Sequence, residues 1–206
     1  GVSWGRWLET IFFWFFRLLL RRFNQVWVPD FASPHNLTGE LSHRRTSLKN
    51  IRFIGPLCRF SHPSRLDEPI PAVDRLALVS GPEPQRTMFE RTLKAILKDL
   101  PGRNLMLLGK PEEVHAGGPG LRLDDRKDGL HQFPHADEET MSRLMRAAGL
   151  IITRPGYTTI MELAGLGIKK ILFVPTPGQT EQEYLARRLE EQKIAPRYFY
   201  TPITRC

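Results

Sequence analysis

The chain has 206 residues, 41% of them apolar, with Gly and Pro in ordinary amounts, a composition that suits one large or two small globular domains. Its two cysteines, Cys58 and Cys206, exclude a disulfide scaffold and a zinc site and fit a reducing compartment. Thirty Lys plus Arg against 22 Asp plus Glu leave a net charge of +8. With no RNA-binding signature or zinc-finger spacing, that excess points to phosphorylated ligands and an anionic membrane surface rather than to nucleic acid.

Residues 4–23 are dense in aromatics and Leu. Trp4, Trp7, Leu8, Ile11, Phe15, Leu18 and Leu19 recur at helical spacing, and Phe12, Phe13, Trp14 and Phe16 widen the stripe to most of the circumference. The uncharged run 10–16 is too short to cross a bilayer and is followed by Arg17, Arg21 and Arg22. The helix is therefore a buried helix of a larger domain, an interfacial helix with Trp anchors and Arg near lipid phosphates, or, as the remaining alternative, a transmembrane helix. No basic leader with a small-residue cleavage site opens the chain, so no signal peptide is expected.

Residues 25–30 read as a short strand, 31–50 as a loop, and 51–56 as a strand entering a linker. The stretch 61–73 is Pro-rich and lacks apolar periodicity, which predicts a domain boundary. A repeating pattern follows. Strands are predicted at 75–80, 105–108, 130–133, 150–153 and 170–174. Helices are predicted at 85–100 (with Met88, Leu93, Ile96, Leu97 and Leu100), 138–148 (with Met141, Leu144, Met145 and Ala148), 158–167 and 181–193. Strands alternating with helices predict a Rossmann-like parallel α/β sheet with helices on both faces. Ligands of such sheets bind beyond the strand C-termini where strand order switches, so the candidate loops are 80–87, 109–112, 133–138, 153–159 and 175–182. The stretch 115–129, including Asp124 and Asp125, reads as surface, and no metal site is expected.

The most informative stretch is Thr153-Arg154-Pro155-Gly156-Tyr157-Thr158-Thr159-Ile160-Met161-Glu162-Leu163. It joins an apolar strand to a helix through a Gly-containing turn. The first-turn N–H groups about Thr158 and Thr159 and the helix dipole favour an anion there, and Gly156 lets a phosphate approach closely. Glu162 has two readings. It accepts sugar hydroxyls, or it closes a capping box with Thr159 as N-cap. Arg154 either contacts phosphate or pairs with Asp137 or Glu162. Ser80, Gly81 and Arg86 form either a phosphate-binding turn or a plain strand–helix connection; the P-loop ending and the dinucleotide glycines are both absent. His135 lies in a loop and is more simply solvated than catalytic. Gln179 and Gln182 suit hydrogen bonding to sugar hydroxyls, or form a polar first turn, where Glu181 and Glu183 suit the dipole.

The run TRPGYTTIMEL, followed by GLGIKKILFVPTPGQTEQEYLA, resembles the signature of the family 28 glycosyltransferases. The resemblance covers about residues 50–195 and is specific over 149–190, with Pro155, Tyr157 and Leu185 departing from the usual pattern. It implies the donor half of a GT-B enzyme, in which two Rossmann-like domains face each other. Residues 1–60 would be the tail of the N-terminal acceptor domain and linker, and 61–206 the nucleotide-sugar-binding domain, so the chain reads as a fragment lacking the catalytic base. In that family the loop at Ser80 and Gly81 closes over the donor, Glu162 binds the ribose of a uridine nucleotide, backbone groups near His135 read uracil, and Gln182 contacts the donor sugar. The implied activity is inverting, metal-independent transfer from a UDP-sugar to a glycan or lipid-linked acceptor hydroxyl, without a cofactor, by a cytoplasmic protein peripheral on the membrane. The alternatives are a nucleotide-sugar epimerase or hydrolase of the same architecture and a non-catalytic donor-binding subunit docked on a membrane partner.

Overall fold

A computed structural model describes residues 3–43, 48–60, 72–110 and 128–197, with side chains from residue 11 onward. Most of the Pro-rich boundary at 61–73, residues 111 and 112 of one candidate loop, most of 115–129 with Asp124 and Asp125, and residues 198–206 lie outside the described residues. The chain divides into two compact units, Gly1–Leu57 and Cys58–Cys206.

The first unit holds helix α1 (Ser3–Leu20), strand β1 (Val26–Val28), helix α2 (Glu40–His43) and strand β2 (Ile51–Phe53), with β1 and β2 paired in parallel. The aromatic stripe of α1 is helical as its spacing predicts. Ile11, Phe12, Trp14, Phe15, Phe16, Leu18 and Leu19 are all exposed. Among the described residues no helix is long and apolar enough to cross a membrane. The stretch read as loop at 31–50 is ordered by Asp30. This fully buried carboxylate accepts the N–H groups of Phe31 (2.7 Å), Leu37 (2.9 Å) and Thr38 (3.0 Å) and the hydroxyls of Thr38 (2.6 Å) and Ser42 (2.9 Å). Burial pushes its pKa up, but the Leu37 N–H and the Thr38 and Ser42 groups together hold it below the usual carboxylate range. Such order leaves no periodic trace in sequence, because one side chain organises backbone several residues away.

The second unit follows the alternation read from sequence. In chain order it contains β3 (Val73–Leu78), α3 (Gln85–Leu97), β4 (Arg103–Leu107), β5 (Gly129–Phe133), α4 (Glu138–Ala147), β6 (Ala148–Thr153), α5 (Tyr157–Gly165), β7 (Ile171–Phe173) and α6 (Thr180–Glu191). The five strands form one parallel sheet in the order β5-β4-β3-β6-β7. The central strands are apolar runs because both of their faces are covered. Ala77 and Val79 pack with Phe89, Leu93 and Leu97 of α3. Leu78, on the opposite face by strand alternation, lines a cleft together with Met141 and Met145 of α4. Burying each of the larger side chains contributes roughly 1.5–3 kcal/mol.

Two details differ from the sequence reading. The inward stripe of α3 is Phe89, Leu93 and Leu97, while Met88 and Ile96 are 39% and 46% exposed. A spacing of four residues along one face selects Phe89 and turns Met88 outward. Helix α4 runs directly into β6, so Ala148 is strand rather than helix. The start of α4 is as expected: Asp137 is its N-cap and accepts the Thr140 N–H and hydroxyl, both at 2.8 Å. The Thr140 N–H is the main reason that the Asp137 carboxyl lies below its ordinary pKa.

Candidate functional site

The chain runs from β3 outward through β4 to β5, then returns to the other side of β3 for β6 and β7. Strand order therefore reverses between β3 and β6, and their C-terminal loops part to leave a crevice. A cleft of about 250 Å³ lies there. Leu78, Leu107, Met141 and Met145 give it apolar walls; Ser80, His135, Thr159, Glu162 and Arg59 supply its polar groups.

Arg154 builds one side of this cleft from beneath. It is 2% exposed, donates to the carbonyls of Ser80 (2.9 Å) and Gln85 (2.6 Å), and lies 4.8 Å over the Phe89 ring. It thus ties the loop after β3 to the loop after β6. The acids offered to it by the sequence are engaged elsewhere, Asp137 in its helix cap and Glu162 with Arg59. Gly81 has φ +108, and a Cβ there would collide with the Arg154 guanidinium. Its glycine is thus explained by the fold's own arginine. Arg86 binds Glu83 through Nε (2.9 Å) and Nη2 (2.7 Å) and reaches the Gly109 carbonyl (3.2 Å), bracing the loops after β3 and β4. Its hydrogen bonds, and then that of the Thr87 hydroxyl, hold the Glu83 carboxyl below its usual range.

Helix α5 starts at Tyr157 with Gly156 as N-cap and no side-chain capping bond. The capping box with Thr159 as N-cap is therefore not formed: Thr159 lies inside the first turn, and Glu162 is too far along the helix to reach back to the entering N–H. Gly156 has φ −76, and an added Cβ would meet only the Thr159 hydroxyl at 3.7 Å, so the space before the helix is open. Thr158 is exposed and Thr159 half-buried.

Glu162 is 7% exposed, and its Oε1 lies 2.8 Å from Arg59 Nε. Burial pushes its carboxyl pKa up; the Arg59 charge and hydrogen bond oppose this, and the Glu138 charge adds to it. Arg59 is the site residue that sequence reasoning missed. Its partner is distant in the chain, and no local pattern singles it out. The neighbouring Cys58 lies against Gly165, where a Cβ would strike it, and its thiol is 3.7 Å from the Glu162 carbonyl.

His135 is exposed at the rim. Gln179 and Gln182 stand at the same end of the sheet, after β7, but do not line this cleft. The Thr176 N–H donates to Gln182 Oε1 (2.9 Å) and the Gly178 N–H to Glu183 (2.8 Å), so the first turn of α6 folds its own preceding loop. Gln179 is the α6 N-cap without a side-chain capping bond. Of the candidates from sequence, Ser80, His135, Thr159 and Glu162 thus share one cleft. Gly81, Arg86 and Arg154 shape its walls, and Gly156 and Thr158 open the helix beside it. Among the described residues no group of three His, Cys, Asp or Glu could hold a metal ion.

The family model described as the glycosyltransferase family 28 C-terminal domain matches residues 108–204. The chain is 30% identical over 135 residues to the UDP-N-acetylglucosamine--N-acetylmuramyl-(pentapeptide) pyrophosphoryl-undecaprenol N-acetylglucosamine transferase of Listeria monocytogenes serotype 4a, covering 60% of this chain and 37% of that protein. It is 33% identical over 105 residues to the protein of the same name from Listeria welshimeri serovar 6b, covering 50% and 29%. Among solved structures, the crystal structure of the glycotransferase of kitacinnamycin is similar with a TM-score of 0.50 at 21% identity, over 75% of this chain and 38% of that one, a likeness of fold alone. The chain spans 37% or less of these two curated relatives. Residues 108–204, which run from the end of β4 past α6, thus carry the match to the C-terminal domain of glycosyltransferase family 28.

Proposed function

We propose that the second unit binds the nucleoside diphosphate of a UDP-sugar, as the donor half of an inverting glycosyltransferase that delivers the sugar to an acceptor hydroxyl, lipid-linked in the whole protein. The observation that carries this reading is a buried carboxylate, Glu162, facing a cleft at the switch point of a parallel sheet. A phosphate group alone would be repelled by Glu162; a nucleotide brings ribose hydroxyls for the carboxylate and phosphates for the N–H groups at the start of α5. Ser80, Gly81, Arg86, Arg154, Gly156, Thr158 and Thr159 form or support the phosphate side, backbone near His135 is assigned to the base, and Gln179 and Gln182, at the same end of the sheet but outside the cleft, are assigned to the sugar. Displacement at the anomeric carbon leaves negative charge on the departing pyrophosphate, and preorganised N–H groups stabilise that charge.

The division of the chain at Leu57 supports assigning residues 1–60 to the tail of an acceptor domain and linker, and 61–206 to the donor domain. The general base belongs to the acceptor domain, so this chain alone binds donor and turns it over slowly or not at all. The relatives act on a pyrophosphoryl-undecaprenol acceptor by their names, and the exposed aromatic face of α1 beside Arg17, Arg21 and Arg22 suits the interface of an anionic membrane on the cytoplasmic side.

Calorimetry tests the donor assignment. UDP is expected to bind with unchanged affinity in the presence of EDTA, because phosphate charge is met by the N–H groups at the start of α5; binding that requires magnesium or manganese would rule the metal-independent reading out. Flotation tests the membrane assignment. The intact chain is expected to float with anionic liposomes and to lose that association with rising salt, since each Arg near the surface contributes about 1 kcal/mol through a screened interaction. Removing residues 1–24 should abolish it; equal flotation of the truncated chain would refute the role of α1.

A further inference from the structure

The five methionines of the chain fall into three groups. Met106 of β4, Met145 of α4 and Met161 of α5 are buried, at 0%, 2% and 1% exposure. Met88 of α3 is 39% exposed and does not line the cleft. Met141 combines the two properties that the others lack together: it is half-buried rather than closed off, and it lines the cleft. The start of α4 fixes its place. Asp137 caps that helix, and the Met141 N–H donates to the Asp137 carbonyl at 2.8 Å.

Resting on the donor-binding reading above, we propose that Met141 is a peroxide-sensitive modification site, whose oxidation to the sulfoxide weakens nucleotide binding in the cleft and whose reduction restores it. The thioether sulfur attacks one oxygen of hydrogen peroxide. An S–O bond forms and the O–O bond breaks. The proton of the transferred oxygen passes to the departing one, which leaves as water. Sulfur gives up two electrons and the peroxide takes them. A thiol-dependent sulfoxide reductase returns two electrons and two protons, and the oxygen leaves as water. A cleft of about 250 Å³ admits so small an oxidant. Oxidation turns a flexible apolar side chain into a polar one. The wall that Met141 shares with Leu78, Leu107 and Met145 is apolar and offers the new oxygen no side-chain donor. In the free cleft water solvates that oxygen. A ligand seated against the wall strips the water away, and a polar group buried without a partner is unfavourable. The cost therefore falls on the bound state. The Cys58 thiol is turned to the carbonyls of Glu162 and Phe60 and does not line the cleft.

The test uses the full chain with hydrogen peroxide as oxidant, UDP as probe, and the variants Met88→Leu, Met141→Leu and Met141→Gln. Peptide mass mapping follows oxidation at each methionine. Calorimetry follows UDP affinity, each protein being compared with its own untreated state. Met88 and Met141 are expected to oxidise while the three buried methionines persist. The parent and Met88→Leu should lose UDP affinity by about tenfold or more, in step with oxidation at Met141. A methionine sulfoxide reductase should reverse the loss. Met141→Leu, a swap of similar volume, should keep its own starting affinity through the same treatment. Met141→Gln, with a polar group built in, should bind more weakly than Met141→Leu before peroxide is added. Equal losses in Met141→Leu and the parent would overturn the proposal, as would full affinity in a parent oxidised at Met141. Recovery with dithiothreitol alone would also overturn it, because that reagent reduces sulfenic acids and disulfides rather than sulfoxides and would move the effect to Cys58. Failure of the untreated parent to bind UDP would instead overturn the donor reading on which the proposal rests.

Discussion

Glu162→Gln is expected to weaken UDP binding by roughly 1.5–3 kcal/mol, the cost of losing hydrogen bonds to a charged acceptor, or about one to two orders of magnitude in Kd. The same substitution should not destabilise the protein. Burial raises the Glu162 pKa in the folded chain. A carboxyl so raised is most compatible with folding below its unfolded pKa, and that contribution is lost as pH rises through the folded value. At neutral pH the ionised side chain is therefore a burden on the fold. Glutamine removes it and releases a half-exposed Arg59 to water. Thermal melts should show an unchanged or higher Tm for Glu162→Gln at pH 7, with any gain disappearing below about pH 4, where the parent carboxyl is protonated in both states. A residue kept despite such a burden is what a binding site requires. A lower Tm with full UDP affinity would return Glu162 to a purely structural role.

Arg154→Ala is expected to have the largest effect on stability. The substitution leaves the carbonyls of Ser80 and Gln85 without their buried donor and removes the cation over the Phe89 ring. Hydrogen bonds to a charged donor contribute about 1.5–3 kcal/mol each, so a loss of roughly 3 kcal/mol or more is expected. For a protein of this size that lowers Tm by about 6–12 °C. Arg154→Lys should restore only part of it, because one ammonium cannot reproduce a planar fork that meets two carbonyls and stacks on a ring. UDP affinity should fall as well, since the Ser80 loop loses its anchor. If UDP affinity fell while Tm stayed at the parent value, the guanidinium would be serving the ligand rather than the loop.

The sequence by itself determined the architecture of the second unit. Strands and helices alternate with periodicities of two and 3.6 residues, and parallel strands buried on both faces become apolar runs that need crossovers. The order of those runs, with a Gly-bearing turn after Thr153, located the end of the sheet at which the cleft lies and Glu162 beside it. The start of α4 was equally legible, because an Asp before a helical run is a local device.

What only the tertiary structure decided are the long-range partners. From local spacing, Thr159 and Glu162 read equally as a capping box, and only the start of α5 at Tyr157, with Gly156 as N-cap, removed that reading. Arg154 read either as a phosphate contact or as the partner of Asp137 or Glu162, until its guanidinium met the carbonyls of another loop. Asp30 read as the end of a short strand, yet it gathers the backbone that follows it. Arg59 carried no signal at all, because its partner Glu162 lies in a helix far along the chain. Propensity and periodicity act between residues a few positions apart, whereas a buried charge is assigned its partner by whatever the folded chain brings within about 3 Å of it. That distance is set by packing and is not written in any local run of residues.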